Sequence, residues 1–280
     1  VFRVDVRLVR VLATVKDSAG RLVGSLEKRD FTILDNGAPQ EIAVFERQSS
    51  QPVCVSLLID VSGSTAKELP YEIGSVNRFL KAFLSGGNPK DAVALYAFNY
   101  AVTKLNHFTR NASTLERALR GLRSEAGTSL YDAIFLAAGD IESRDCRKVI
   151  LTVTDGGDTT SDKDFHAALE AVHLADAVLY SILVMPITND AGRNIGGENA
   201  LTTLGQRTGG RVFVPADAGR LDDAFQAVLA ELRTQYLIGF YPKKVPLTKD
   251  RYHRLEIRPS RSDLRVSART GYYGESLQEK

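Results

Sequence analysis

Residues 53–64 read VCVSLLIDVSGS, and how this stretch is read decides the fold. From Val53 to Ile59 the run is almost wholly apolar, which marks a strand covered on both faces rather than one with a wet side. At Asp60 the character changes abruptly to small and oxygen-bearing residues, Ser62, Gly63 and Ser64. A doubly covered strand that opens into such a loop is what a ligand-binding edge of a parallel sheet requires.

Working outward, residues 68–84 place Ile73, Val76, Phe79, Leu80 and Phe83 at helical spacing, closed by Gly86-Gly87. Strands are predicted over 92–98, 149–153, 178–184 and 211–214, and helices over 112–122, 129–142, 162–175, 198–208 and 219–233. Such βα alternation predicts an α/β fold with a doubly wound, mainly parallel, Rossmann-like sheet and helices on both faces.

The two ends read differently. Residues 4–8 alternate apolar and polar, 17–20 (DSAG) signal a turn, and 31–34 lead into Asn36-Gly37, the preferred two-residue hairpin connection, with 42–45 as the expected returning strand. Residues 48–52 (QSSQP) read as a linker. After Arg233, strands are predicted over 236–241, 253–257 and 264–268. Neither end carries enough strands to stand alone. The economical arrangement is a small flanking β-sandwich built from both chain ends, giving segments 1–50, 51–232 and 233–280.

The 280 residues are 44% hydrophobic and 25% charged, with 36 Lys+Arg against 34 Asp+Glu and a net charge of +2. That balance argues against nucleic-acid binding, which shows as basic excess or basic blocks. No stretch approaches the length of a membrane span. The chain opens Val1-Phe2-Arg3 and its one Met is Met185, so a natural start, and any leader or anchor, is expected before Val1. Cys54 and Cys146 lack metal or redox spacing. Two buried free thiols are the favoured reading, with a disulfide as the alternative if their strands are neighbours. His107, His166, His173 and His253 are dispersed and are read as solvated surface residues. Tyr236, Phe240, Tyr241, Tyr252, Tyr272 and Tyr273 are read as sandwich core in preference to a carbohydrate platform.

Three loops carry chemistry. Asp60-Val61-Ser62-Gly63-Ser64 follows the first buried run, Asp155-Gly156 follows the 149–153 run, and Gly127-Thr128 opens a helix. If the first and 149–153 strands are neighbours, two carboxylates and three hydroxyls converge, all hard oxygen donors suited to Mg²⁺. Singly, each piece reads as a helix cap or turn; their joint order is what points to a metal. Asp132 and Asp158 lie nearby and are read as solvated or capping residues.

The D-x-S-x-S signature, the later Thr before a helix and the later Asp-Gly together resemble the von Willebrand factor type A family over about residues 51–232. The 20–34 stretch (GRLVGSLEKRDFTIL) further resembles the strands preceding that domain in bacterial VWFA-related proteins. The resemblance implies a metal-ion-dependent adhesion site made by Asp60, Ser62, Ser64, Thr128 and Asp155. In it the hydroxyls would ligate directly, while the two Asp hold the ion through waters or directly when no ligand is bound. The implied ion is Mg²⁺, with Mn²⁺ or Ca²⁺ as alternatives. An open coordination position would take an Asp or Glu carboxylate of a protein partner. Gly63, Gly127 and Gly156 would let the backbone turn beside the ion.

Rival readings fare worse. An aspartyl phosphatase needs a second Asp where Ser62 stands, and an EF-hand loop from Asp60 needs Gly where Thr65 stands and Glu where Tyr71 stands. No enzyme motif is present, so the expectation is a non-enzymatic binding module, and the resemblance implies an extracellular, cell-envelope or periplasmic location. A metal-free structural scaffold is the alternative, and a Mg²⁺-dependent phosphohydrolase a remote one.

Overall fold

The chain enters through β-structure. A computed structural model describes residues 8–47, 51–184, 194–243, 245 and 251–274. Its first strands are β1 (Val9–Lys16), β2 (Phe31–Asp35), β3 (Ala38–Gln40) and β4 (Ile42–Arg47). The strand expected over 4–8 lies almost entirely outside the described residues. The 17–20 turn forms because the Asp17 carboxylate accepts from the Ala19 and Arg21 N–H groups, at 3.0 and 2.9 Å. Asn36 and Gly37 adopt φ of 47° and 81°, the left-handed pair of a two-residue hairpin turn. The strand that returns is β3, paired antiparallel with β2 from Ile33↔Gln40 to Asp35↔Ala38, and not 42–45. Pro39 hides it from sequence reading. At a sheet edge, where β3 lies, proline's missing N–H removes no ladder bond.

The middle of the chain alternates as the periodicity predicts. It runs β5 (Val53–Asp60), α1 (Leu69–Gly86), β6 (Ala92–Phe98), β7 (Val102–Lys104), α2 (Ala112–Arg120), α3 (Leu130–Glu142) and β8 (Arg147–Thr154). Then follow α4 (Phe165–Leu174), β9 (Val178–Leu183), α5 (Ile195–Thr208), β10 (Val212–Phe213) and α6 (Leu221–Thr234). The six strands order as β10-β9-β8-β5-β6-β7. All pair parallel except the edge strand β7, which runs antiparallel to β6 and was not visible as a strand in the sequence. Every residue of β5, β6 and β9 is buried, so both sheet faces are covered. On one face Cys54, Leu58, Tyr96 and Ile150 pack with α3, α4 and the buried Leu201 and Leu204 of α5. The remaining helices close the other, where Phe79 of α1 meets Phe225 of α6 with ring centroids 5.1 Å apart.

Two expectations are corrected here. The buried face of α1 is Leu69, Glu72, Ser75, Val76, Phe79, Leu80, Phe83 and Leu84; Ile73 is only half-buried, and a glutamate takes the inward position in the first turn. Cys54 and Cys146 form a disulfide rather than two free thiols. The cause is register: β5 and β8 are adjacent, with Val53 opposite Arg147, which brings the two cysteine Cα atoms to 5.9 Å.

The final strands are β11 (Tyr236–Phe240), β12 (Tyr252–Pro259), β13 (Arg265–Ala268) and β14 (Gly271–Tyr273). They join the first four in two four-stranded sheets, β13-β1-β11-β4 and β14-β12-β2-β3. Val11, Ala13, Ile238 and Phe240 of the first sheet share one buried cluster with Phe31, Ile33, Leu255 and Tyr272 of the second, the core of a sandwich. Two compact units result. One comprises Val1–Ser49, Gln206–Gly210 and Glu231–Lys280, the other Ser50–Gly205 and Arg211–Ala230. Of the C-terminal aromatics, Tyr236, Phe240 and Tyr272 are buried, Tyr252 and Tyr273 half-buried, and Tyr241 exposed. His173 and His253 are buried, against the surface reading. His253 finds partners that the sequence did not reveal: Nδ1 lies 3.1 Å from the Asp35 carboxylate, and its ring stacks on Tyr272, whose hydroxyl donates to the other Asp35 oxygen at 2.6 Å.

Candidate metal centre

β5 lies between β6, which follows it in the chain, and β8, reached by crossing back, so the winding reverses between β5 and β8. In open α/β sheets that reversal opens a crevice at the carboxyl ends of the strands. Asp60 is the last residue of β5, and Asp155 directly follows β8. The pairing of Ile59 with Val153 brings those two strand ends side by side.

The loop after β5 is self-supporting. Asp60 is fully buried; its Oδ1 accepts from the Ser62 N–H at 2.9 Å and its Oδ2 from the Thr154 hydroxyl at 2.6 Å. The hydroxyls of Ser62 and Ser64 lie 3.0 Å apart, and the Thr65 hydroxyl donates to the Asp60 and Ser62 carbonyls. Neither serine caps a helix through its side chain: the N-cap of α1 is Glu68, and Ser62, at the N-cap of the short 3-10 turn Gly63–Thr65, makes no side-chain cap bond.

The other two loops are tied to this one. The Glu125 N–H donates to the Val61 carbonyl at 2.9 Å and the Ser124 hydroxyl to the Ser62 carbonyl at 2.7 Å. These bonds lay the segment leading to Gly127-Thr128 alongside the Asp60–Ser64 loop. The Thr128 N–H donates to the Thr159 hydroxyl at 3.0 Å, and its carbonyl accepts from the Thr159 and Thr160 N–H groups. The segment after Asp155 is thereby fastened to the Thr128 loop. Thr128 is buried, Asp155 half-buried and Ser64 exposed, so the cluster runs from the sheet edge to solvent.

Asp132 and Asp158 do structural work, in agreement with their sequence reading. Asp158 accepts from the Tyr131 N–H and the Ser161 hydroxyl, and Asp132 from the Asp162 and Lys163 N–H groups. Gly127 (φ 83°) and Gly156 (φ 88°) sit in the left-handed region. A Cβ on Gly127 would lie 2.7 Å from that of Tyr100. Gly63 lacks a positive φ and has open space around it, so that position does not require glycine.

Electrostatically the site is short of positive charge. Burial pushes the Asp60 carboxyl up to about 6, against the hydrogen bonds of Ser62 and Thr154 and with help from the Asp155 charge. Sequence reading missed Glu72, whose side chain is fully buried with both carboxylate oxygens lacking a hydrogen-bond partner among the described residues. Burial, and then the charges of Asp60, Glu68 and Asp155, raise its carboxyl well above the usual range. The signal lay in the sequence: Glu72 occupies the i+3 position between Leu69 and Val76 on the apolar stripe of α1. Thr154, which anchors Asp60, was also missed, because it reads as one more residue of a buried strand.

This donor set fits a hard divalent cation. Asp60 and Asp155 supply anionic oxygens, and Ser62, Ser64 and Thr128 neutral ones. The unpartnered Glu72 adds buried negative charge that a cation would offset. Among the described residues no three His, Cys, Asp or Glu side chains gather around one point as ligands, which leaves the hydroxyls an essential share of any coordination here.

Residues 55–157 match the family model described as von Willebrand factor type A domain. No curated protein matches the chain. Among solved structures, the vWF domain of the type V pili tip protein Mfa5 from Porphyromonas gingivalis superposes with a TM-score of 0.53 at 15% identity, covering 66% of this chain and 97% of that one. The pilus adhesin SpaC from Lactobacillus rhamnosus GG, in an open conformation, gives 0.55 at 12% identity over 73% of this chain and 34% of that one. The PilB minor pilin from Streptococcus sanguinis gives 0.51 at 12% identity over 66% and 62%. At these identities the likeness is one of fold. Residues 55–157 thus match the von Willebrand factor type A domain model, and the six-stranded sheet that contains them has the fold of such domains.

Proposed function

We propose that this protein is a metal-dependent protein-binding module that grips an acidic residue of a partner through a divalent cation, Mg²⁺ in the first instance. Asp60, Ser62, Ser64, Thr128 and Asp155 would hold the ion. The observation that carries the reading is the hydrogen-bonded union of three loops, distant in sequence, at the switch point of the sheet, with a buried acid that faces other acids. A cation held largely by neutral hydroxyls keeps much of its charge available to an incoming carboxylate. That is a binding chemistry.

The surroundings support a macromolecular partner. Tyr100, packed against Gly127, is 63% exposed, and Tyr71 in the first turn of α1 is 60% exposed. Tyrosines beside a polar anchor are favoured at protein interfaces. The Cys54–Cys146 disulfide supports a compartment outside the reducing cytosol. Two of the similar folds, SpaC and the PilB minor pilin, belong to a pilus adhesin and a pilin, which supports an adhesive or scaffolding role at the cell envelope. No helix among the described residues is long and apolar enough to cross a membrane.

The test is a Mg²⁺ titration by calorimetry and thermal melting on the wild type and Asp60→Ala, followed by capture of partners with and without chelator. A saturable shift present in the wild type and absent in Asp60→Ala supports the proposal. Equal behaviour of the two proteins, or no shift in either, overturns it in favour of a metal-free scaffold.

A further inference from the structure

Glu72 is buried in a way that needs an explanation of its own. A carboxylate taken out of water is costly unless hydrogen-bonded or paired with a base. Glu72 is 0% exposed, and neither of its oxygens has a hydrogen-bond partner among the described residues. The charges that act on it are those of Asp60, Glu68 and Asp155, all acidic. Its place is fixed by a short chain of bonds leading from the candidate centre. The Thr65 hydroxyl donates to the Asp60 carbonyl, the Glu68 N–H to the Thr65 carbonyl, and the Glu72 N–H to the Glu68 carbonyl. A core position on α1 flanked by Leu69, Val76 and Phe79 would be filled more stably by leucine. A buried acid with no other donor, set beside two candidate ligand carboxylates, points to a cation that it serves.

We infer that Glu72 is a positioning residue of the metal centre: its carboxylate accepts hydrogen bonds from water bound to the ion and adds a third negative charge behind the hydroxyl donors. It is not a direct ligand alongside Asp60 and Asp155, because no three acidic side chains among the described residues converge on one point. Mg²⁺ retains several waters, and these supply the donors that Glu72 lacks. The inference rests on the proposed metal site and adds to it the residue that sets the site's affinity.

The experiment uses the full chain. Mg²⁺ and Mn²⁺ are titrated calorimetrically into wild type, Glu72→Gln, Glu72→Asp and Asp60→Ala, and each protein is melted in chelator. Loss of an outer carboxylate weakens metal binding by roughly 10- to 100-fold. Glu72→Gln is expected to lose that much, Glu72→Asp less, and Glu72→Gln is expected to melt in chelator at or above the wild-type temperature. Binding by Glu72→Gln within about twofold of wild type overturns this inference and leaves the metal site standing. A fall of more than about 4 °C in the chelator melting temperature of Glu72→Gln marks a structural role and also overturns it. Absence of binding by the wild type overturns the inference together with the site on which it rests.

Discussion

Asp60→Asn removes a charge and keeps a shape. In the metal-free protein, burial holds the Asp60 carboxyl at about 6 against an ordinary 3.8. That gap of about two units, at ~1.4 kcal/mol each, makes the ionised side chain roughly 3 kcal/mol less favourable folded than unfolded. A pKa raised in the folded state means that the folded protein binds the extra proton. The contribution to stability is therefore complete below about pH 4 and is lost as the pH rises through about 6. Asparagine carries no charge and still offers Oδ1 to the Ser62 N–H. In chelator at about pH 7.5, Asp60→Asn should be more stable than wild type by ~1–3 kcal/mol, and the two should converge near pH 4. Mg²⁺ should reverse the order: at a hundredfold over its dissociation constant it adds ~2.7 kcal/mol to wild type and nothing to the variant. Denaturant unfolding followed by circular dichroism, with chelator or saturating Mg²⁺ across that pH range, measures all three. An Asp60→Asn protein less stable than wild type in chelator at every pH would refute the reasoning, showing that fixed donors hold the charge without need of an ion.

Gly127→Ala combines a left-handed φ with a Cβ 2.7 Å from that of Tyr100. It should lower stability by more than about 1 kcal/mol and weaken Mg²⁺ binding through displacement of Thr128, read by melting and calorimetry. Tyr272→Phe leaves an Asp35 oxygen without its 2.6 Å donor inside the sandwich core; a loss of ~1–3 kcal/mol in denaturant unfolding is expected, with Mg²⁺ affinity unchanged. Replacing Cys54 and Cys146 by serine opens a loop spanning 92 residues and should cost about 4–5 kcal/mol on the loop-entropy model, measurable as a fall in the unfolding midpoint.

Much of the central sheet was legible because its strands are buried on both faces. The runs at 53–59, 92–98 and 149–153 carry enough apolar side chains to announce themselves, and the loops after them inherit their place from the strand order. What escaped the sequence depended on company rather than composition. β7 is three residues long at an edge, β3 contains a proline that an edge tolerates, and β4 turned out to pair with β11 in the other sheet. His253 is buried because Asp35 and Tyr272, remote in sequence, receive it. Glu72 was masked by the habit of assigning charged residues to the wet side of a helix. The neighbouring Ile73 reads as the better core residue, yet with Val76, Phe79, Leu80 and Phe83 buried as expected, only the first turn departs by turning Glu72 inward. The cysteine pair turned on a single question of register, which the apolar runs alone left open.

The disulfide bears on the site from the opposite end of the sheet. Parallel neighbours could in principle slide, and a slip of one residue would move a side chain by ~3.3 Å and turn it to the other face. Cys54 is six positions before Asp60, about 20 Å along an extended strand, and its covalent tether to the segment opening β8 forbids such a slip. The spacing of the carboxylates of Asp60 and Asp155 is thus gauged by a weld at the far rim, so that thiol chemistry at that rim would be felt as misalignment of the two oxygen-bearing loops.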